Sequence, residues 1–329
     1  MSMHKKYFDL SYNDIISVEN LLEAWKEFKR GKSNKIDVQD FEFHLMSNIL
    51  NLHDDLKNKI YKHGSYEHFK VNDPKPRDIH KASVRDRVLH HAIYKILYPL
   101  YDKIFISDSY SCREDKGTHK AINRFEKFTR KVSQNYTTQC YILKCDIRKF
   151  FASVDQNILI KILEKKIEDK DVLDLLRNII QSFDRGLPLG NLTSQLLVNI
   201  YMNEFDQYVK HNLKQKYYIR YADDFVFVSK SKDELEMVSQ KCEVFLRQTL
   251  KLSLHPDKCF IRTIYSGLDF LGWVHFQKHR VLRTTTKRRM QRKVNEDNLS
   301  SYLGFLGHGN GYKLSNKISE YVKENRVEI

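Results

Sequence analysis

Two adjacent carboxylates, Asp223 and Asp224, interrupt a run of otherwise apolar residues. Tyr217, Tyr218 and Ile219 precede them and Phe225 to Val228 follow, an alternation that predicts a β-hairpin with the acids in its tight turn. Like charges side by side repel, and a strand environment strips their hydration, so a bound cation is the natural compensation. Oxygen donors with no Cys or His beside the pair suit Mg²⁺ or Mn²⁺ rather than zinc. A third carboxylate, Asp146, ends the strand predicted over Tyr141–Cys145. If that strand lies beside the hairpin, three carboxylates converge. Three can hold two metal ions and align an in-line displacement at phosphorus. Paired aspartates in a turn are, taken alone, more often a solvated hairpin; the surrounding blocks weigh the other way.

These acids need a scaffold, and the chain supplies mixed elements. The first 60 residues read as helices, with Leu21, Leu22, Trp25 and Phe28, then Phe41, Leu45 and Ile49, at helical spacing. Lys62 to His80, with Pro74, Lys75, Pro76 and Arg77, reads as an extended basic loop. Val84 to Leu100 is a predicted helix stopped near Pro99, and Ser107 to Thr118 a loop. Helices are expected over 158–167, 172–183 and 192–209, with a turn at Gly186–Gly190 between the last two. An amphipathic helix follows over Asp233–Leu250, then strands over 253–265 and 268–276. The interleaving is irregular, which favours α+β over a doubly wound sheet.

Composition narrows the class. Among 329 residues, 57 Lys and Arg face 42 Asp and Glu, a net charge of +15 that favours a polyanionic partner. No stretch reaches the length of a membrane span, and Met1 to Leu10 lacks an apolar signal segment. The cysteines, Cys112, Cys140, Cys145, Cys242 and Cys259, are odd in number and form no C-x-x-C pair, so free thiols in a reducing cytoplasm are expected.

Set in order, the motifs resemble those of reverse transcriptases. Tyr221-Ala222-Asp223-Asp224 resembles the signature block, and Cys145-Asp146-Ile147-Arg148-Lys149-Phe150-Phe151 the first palm motif. Gly186 to Gln195 is similar to the second, Leu254-His255-Pro256-Asp257-Lys258 to the lysine motif, and Phe270-Leu271-Gly272-Trp273 to the primer-grip hairpin. The resemblance implies an α+β right-hand polymerase. An N-terminal helical extension would span 1–60, fingers 61–139, a palm 140–276 with part of the fingers inserted around 157–185, and a basic thumb 277–329.

It also implies roles. Asp146, Asp223 and Asp224, with the Ile147 carbonyl, would hold two Mg²⁺ ions, with Mn²⁺ as a substitute, and Lys258 would protonate the leaving pyrophosphate. Phe151 would be the steric gate against a ribose 2′-hydroxyl, with one of Phe150 and Phe151 left to the core. Arg77, Arg85 and Lys75 would hold the incoming deoxynucleoside triphosphate, and Gln195 would lie near the nascent pair. Arg113, Gly190, Gly272, Arg288 and Arg292 would meet template and primer. The last two belong to a run, Arg280, Arg283, Lys287 to Arg289, Arg292 and Lys293, suited to gripping an A-form-like RNA–DNA hybrid along one helix face.

Ser194-Gln195 departs from the common Ser-Pro of the second palm motif. With Asp108 to His119 and Pro74 to Arg77, it resembles the branch found in diversity-generating retroelements. That branch copies a template-repeat RNA into cDNA with errors at template adenines, the route of mutagenic retrohoming, beside a small basic barrel-shaped accessory protein that is a homopentamer. The alternatives are a defence-associated (antiviral) or other retroelement reverse transcriptase, and a non-catalytic RNA-binding protein on a polymerase fold. An RNA-dependent RNA polymerase is disfavoured by the large Phe151. No membrane partner is expected.

Overall fold

The computed structural model describes residues 7–72 and 76–324. The chain forms two compact units that interleave in sequence. The first comprises Met1–Ser107, Ile147–Lys214 and Glu243–Leu254, and the second Asp108–Asp146, Gln215–Cys242 and His255–Ile329.

The first unit is mainly helical. It holds α1 (Tyr12–Ile16), α2 (Val18–Lys29), α3 (Ile36–Phe43), α4 (Leu45–Lys57) and α5 (Val84–Asp102). Polar caps set several starts: Ser17 Oγ accepts from the Asn20 amide at α2, and Ser83 Oγ from the Asp86 amide at α5. Leu21, Trp25 and Phe28 of α2 and Val88, Leu89, Ala92 and Ile93 of α5 are buried, as the helical spacing predicts. Pro99 does not stop α5, which runs one turn further to Asp102. The proline removes one donor, and burial of Tyr98 and Tyr101 holds the last turn.

The segment read as a basic loop is instead an antiparallel ribbon, β1 (Glu67–Val71) with β2 (Arg77–Lys81), which sets Phe69 opposite Ile79 and His68 opposite His80. Pro76 falls between the strands, where no ladder donor is required, and Pro74 lies outside the described residues. Lys75 lies outside the described residues.

In the second unit α6 (Thr118–Val132) precedes β3 (Tyr141–Asp146). The chain then passes through the first unit by α7 (Phe150–Ser153), α8 (Gln156–Glu164), α9 (Lys170–Gln181) and α10 (Leu192–Gln207). The last of these is buried nearly all round, its polar Thr193, Ser194, Asn199, Asn203 and Asp206 included, and it continues as a π-helical turn, Tyr208–Asn212.

Back in the second unit come β4 (Tyr218–Tyr221), β5 (Asp224–Ser229), the start of α11 (Lys232–Thr249) and β6 (Phe260–Thr263). The strands make one antiparallel sheet in the order β4-β5-β3-β6. Ile142, Ile219, Val226 and Val228 pack on Ala121, Phe125 and Phe128 of α6. Their neighbours in sequence, Leu143, Phe225 and Phe227, point the other way and are equally buried, so both faces of this sheet are covered.

A three-stranded sheet follows: β7 (Leu268–Phe270), β8 (Trp273–His275) and β9 (Arg280–Leu282). Leu271 and Gly272 both have positive φ, as a two-residue turn matched to strand twist requires. The basic run is therefore split, with Arg280 in a strand and the helix beginning later, as α12 (Thr284–Lys293). α13 (Glu296–Leu306) and α14 (Tyr312–Glu324) complete a small second core with Met290, Leu306, Leu314 and Ile318. Gly309 fits this end closely, since a Cβ there would lie 2.1 Å from the Trp273 ring.

All five cysteines are free thiols, with Cys145 and Cys259 Sγ atoms 3.1 Å apart. Among the described residues no helix is long and apolar enough to cross a membrane.

Candidate active site

The three aspartates all belong to the second unit. The β3–β5 ladder places Asp146 directly opposite Asp224, and β4 and β5 are joined through Ala222 and Asp223. Ala222 takes a left-handed conformation, φ +56°, which is costly for a residue with a Cβ. Arg220 supports the turn. Its guanidinium donates to the Ala222 carbonyl at 3.2 Å and to Ser109 Oγ at 3.1 Å, and the residue is fully buried. Nothing in the sequence marks Arg220, because a buried arginine looks like any surface one until its neighbours are known.

Two lysines meet two of the carboxylates. Lys258 Nζ donates to Asp146 Oδ1 at 3.0 Å, as its place after His255-Pro256 allows. The Asp146 carbonyl accepts from the His255 amide at 2.8 Å, which fixes that loop against β3. Lys144 Nζ lies 3.2 Å from Asp224 Oδ2. Burial pushes the Asp224 carboxyl up to about 7, Lys144 opposes this, and Asp146 and Asp223 add to it. Asp224 Oδ1 is buried with no hydrogen-bond partner.

A surplus of partly buried negative charge, an unpartnered carboxylate oxygen and an all-oxygen donor set fit a hard divalent cation. As they stand, no group of three or more His, Cys, Asp or Glu among the described residues is disposed to hold a metal ion. The ammonium groups of Lys144 and Lys258 occupy two of the carboxylates instead.

The remaining members of the second unit are placed as follows. Arg113 Nη1 donates to the Ser109 carbonyl at 3.0 Å. Gly272, at φ +87°, has open space where a side chain would begin. Arg288 and Arg292 share the exposed face of α12 with Thr285 and Gln291, along a shallow groove of about 550 Å³.

In the first unit, Ile147 is buried and bridges to Leu254. Phe150 is buried and Phe151 partly exposed, both on the short helix α7. Lys149, in the left-handed region, makes the bend before them. Gly186 sits against this bend, where a Cβ would lie 2.3 Å from the Phe151 carbonyl. Gly190 and Gln195 line one cavity of about 280 Å³. The cations around it are Lys32, Lys81 and Arg87, which the sequence reading did not single out. Lys81 and Arg87 share Asp37, at 2.9 and 2.6 Å. Arg85 is elsewhere on α5, ion-paired with Asp55 and lying over the Tyr61 ring. Arg77 opens β2 and is exposed.

Comparison with known proteins agrees with this geometry. Residues 60–275 match the family model for reverse transcriptase (RNA-dependent DNA polymerase). The chain is 27% identical over 262 residues to protein YkfC of Escherichia coli (strain K12), covering 67% of each chain. It is 22% identical over 332 residues to the group II intron-encoded protein LtrA of Lactococcus lactis subsp. cremoris, covering 79% of this chain and 53% of that one. It thus spans two thirds of the one relative and about half of the other. A solved telomerase from Candida albicans, in complex with a fragment of telomeric RNA, shares the fold at a TM-score of 0.51 and 11% identity, over 74% of this chain and 53% of that one. The chain belongs to the reverse transcriptase family, has its α+β polymerase fold, and is an RNA-directed DNA polymerase.

Proposed function

We propose that this polymerase copies a template-repeat RNA into cDNA for a diversity-generating retroelement, by two-metal nucleotidyl transfer that is error-prone at template adenines. The placement of Asp146 opposite Asp224, with Asp223 in the adjoining turn, carries the two-metal reading. These three, with the Ile147 carbonyl, are the residues we assign to two Mg²⁺ ions, which Mn²⁺ would replace. When bound, such ions supply Lewis acidity to the primer 3′-hydroxyl and charge neutralisation to the pyrophosphate.

The protein's own groups do the rest. Lys258 holds Asp146 and is the proton donor we assign to the leaving group. Phe151 limits space beneath the sugar. Lys75, Arg77 and Arg85 are assigned to the triphosphate, Arg85 only on release from Asp55. Gln195 and Gly190 border the nascent pair, and Arg113, Gly272, Arg288 and Arg292 hold template and primer.

The retroelement assignment rests on Ser194-Gln195. Gln195 is half-buried at the start of α10 and lines the same cavity as Gly190. An amide offers adaptable donors and acceptors where proline offers none. A small basic barrel-shaped homopentamer is the accessory partner that this reading carries with it. A second reading, a polymerase of another retroelement, is supported by the likeness to an intron-encoded protein.

Mg²⁺-dependent primer extension on a defined RNA template, with every product sequenced, separates the two. Errors concentrated opposite template adenines support the diversity-generating assignment. Even, low error at all four bases supports the second reading and removes the first.

A further inference from the structure

Lys144 is a nearly buried lysine that neither the motifs nor the proposed chemistry uses. It lies two residues before Asp146 on β3 and so on the same face of the strand. Its side chain reaches diagonally across the ladder, bringing Nζ 3.2 Å from Asp224 Oδ2. The same ammonium donates to the Asp269 main-chain carbonyl at 2.7 Å. Asp269 in turn ion-pairs through its carboxylate with Arg283, the residue that caps the N-terminus of α12. One hydrogen-bonded chain, Asp224–Lys144–Asp269–Arg283, therefore runs from the acidic cluster to the head of the basic helix.

A lysine that is 9% exposed loses most of its hydration and is kept only where it is paired. Stability alone does not require it, since a buried ion pair can often be replaced by an apolar side chain at little cost. Its position is better explained by charge. Asp146 and Asp224, opposed across the ladder, each carry one ammonium, Lys258 on the first and Lys144 on the second. Lys258 is partly exposed on a short 3-10 turn, Pro256–Lys258, whereas Lys144 holds both Asp224 and the Asp269 carbonyl.

We propose that Lys144 is a positioning residue of the metal site: a built-in cation that orients and neutralises Asp224 when no divalent ion is bound, and that competes with the ion for Oδ2. The inference rests on Asp146, Asp223 and Asp224 being the metal ligands. It sets metal affinity from inside the sheet, and it ties the aspartates to α12 through Asp269.

The test is Mn²⁺ binding to the full chain without nucleic acid, read from the loss of the free-ion paramagnetic signal. Wild type, Lys144→Met, Lys144→Arg and the double variant Asp223→Asn, Asp224→Asn are compared. Removing a cation in contact with a ligand oxygen should tighten binding by about tenfold in Lys144→Met, and Lys144→Arg should return it towards wild type. A lysine that only supports the fold would loosen binding when lost. Unchanged or weaker affinity in a folded Lys144→Met protein overturns the proposal. If that variant does not fold, Lys144→Gln removes the charge and keeps a donor, and the same two outcomes apply. If wild type and the Asn double variant bind Mn²⁺ alike, the assignment of the aspartates fails first, and the role of Lys144 falls with it.

Discussion

Asp224 lies directly across the β3–β5 ladder from Asp146, so the two carboxylates are neighbours by strand register rather than by sequence. Side chains alternate along a strand, so a slip of one residue in either strand would send one carboxylate to the opposite face. The register is held by apolar residues on both faces of the sheet, Ile142 and Val226 on one and Leu143 and Phe227 on the other. The site geometry is thus a by-product of core packing.

Phe150 and Phe151 should separate cleanly on substitution. Phe150 is 3% exposed, and Phe150→Ala should cost about 3–5 kcal/mol of stability, seen in chemical denaturation. Phe151 is partly exposed, and Phe151→Ala should leave stability nearly unchanged while ribonucleotide incorporation rises by about tenfold or more. Unchanged sugar discrimination in single-nucleotide insertion assays would remove the gate assignment.

Arg288 and Arg292 lie on the exposed face of α12, one turn apart. Replacing both with Ala should weaken binding to an RNA–DNA hybrid equally for all sequences. The slope of log affinity against log salt should fall by about 2, one unit per lost phosphate contact. Fluorescence anisotropy over a salt series measures this, and an unaltered slope would place the hybrid elsewhere.

Gly309 has no room for a methyl group against Trp273. Gly309→Ala should destabilise the packing of the α13–α14 turn by about 1–3 kcal/mol, the usual cost of overfilling a tight contact. Limited proteolysis should then cut first in the C-terminal helices, while the β3–β6 sheet stays protected. Wild-type resistance would contradict the contact.

His275 is buried beside Phe125 and Phe270, and burial pushes its imidazole down to about 4. Arg280 and Lys144 push the same way, and the Phe270 carbonyl opposes them. Below its usual range near 6.5 the unfolded chain binds a proton that the folded chain refuses. The stability of the neutral form is therefore complete above about 6.5 and is lost as the pH falls towards 4, by as much as about 3 kcal/mol. Thermal unfolding at pH 7 and pH 5 should show this loss, and His275→Gln should flatten it. An equal loss in both proteins would assign the acid sensitivity to other groups, among them His90, which burial also depresses, to about 3.

The acids were legible in the sequence because charge inside an apolar alternation has few benign explanations. Asp146, Asp223 and Asp224 each stood at a predicted strand end, and the strands are there. Lys144 and Arg220 were not legible, since their partners come from strand register and from a distant loop. The ribbon of β1 and β2 was hidden because Pro76 stands just before β2, where it reads as loop. Pro99 misled in the other direction: tertiary burial of Tyr101 outweighs the single hydrogen bond the proline removes. The cations around Gly190 and Gln195 come from the turn after α2, from β2 and from α5, three segments that no motif links.

The central claim is that Asp146, Asp223 and Asp224 carry the chemistry together. It is tested most directly by Mg²⁺-dependent deoxynucleotide incorporation on an RNA template, comparing wild type with Asp146→Asn, Asp223→Asn and Asp224→Asn. Each substitution should lower the rate by about a thousandfold in a protein that still folds, with hybrid affinity within error of wild type. Incorporation that persists near the wild-type rate in a folded Asp224→Asn protein would contradict the account.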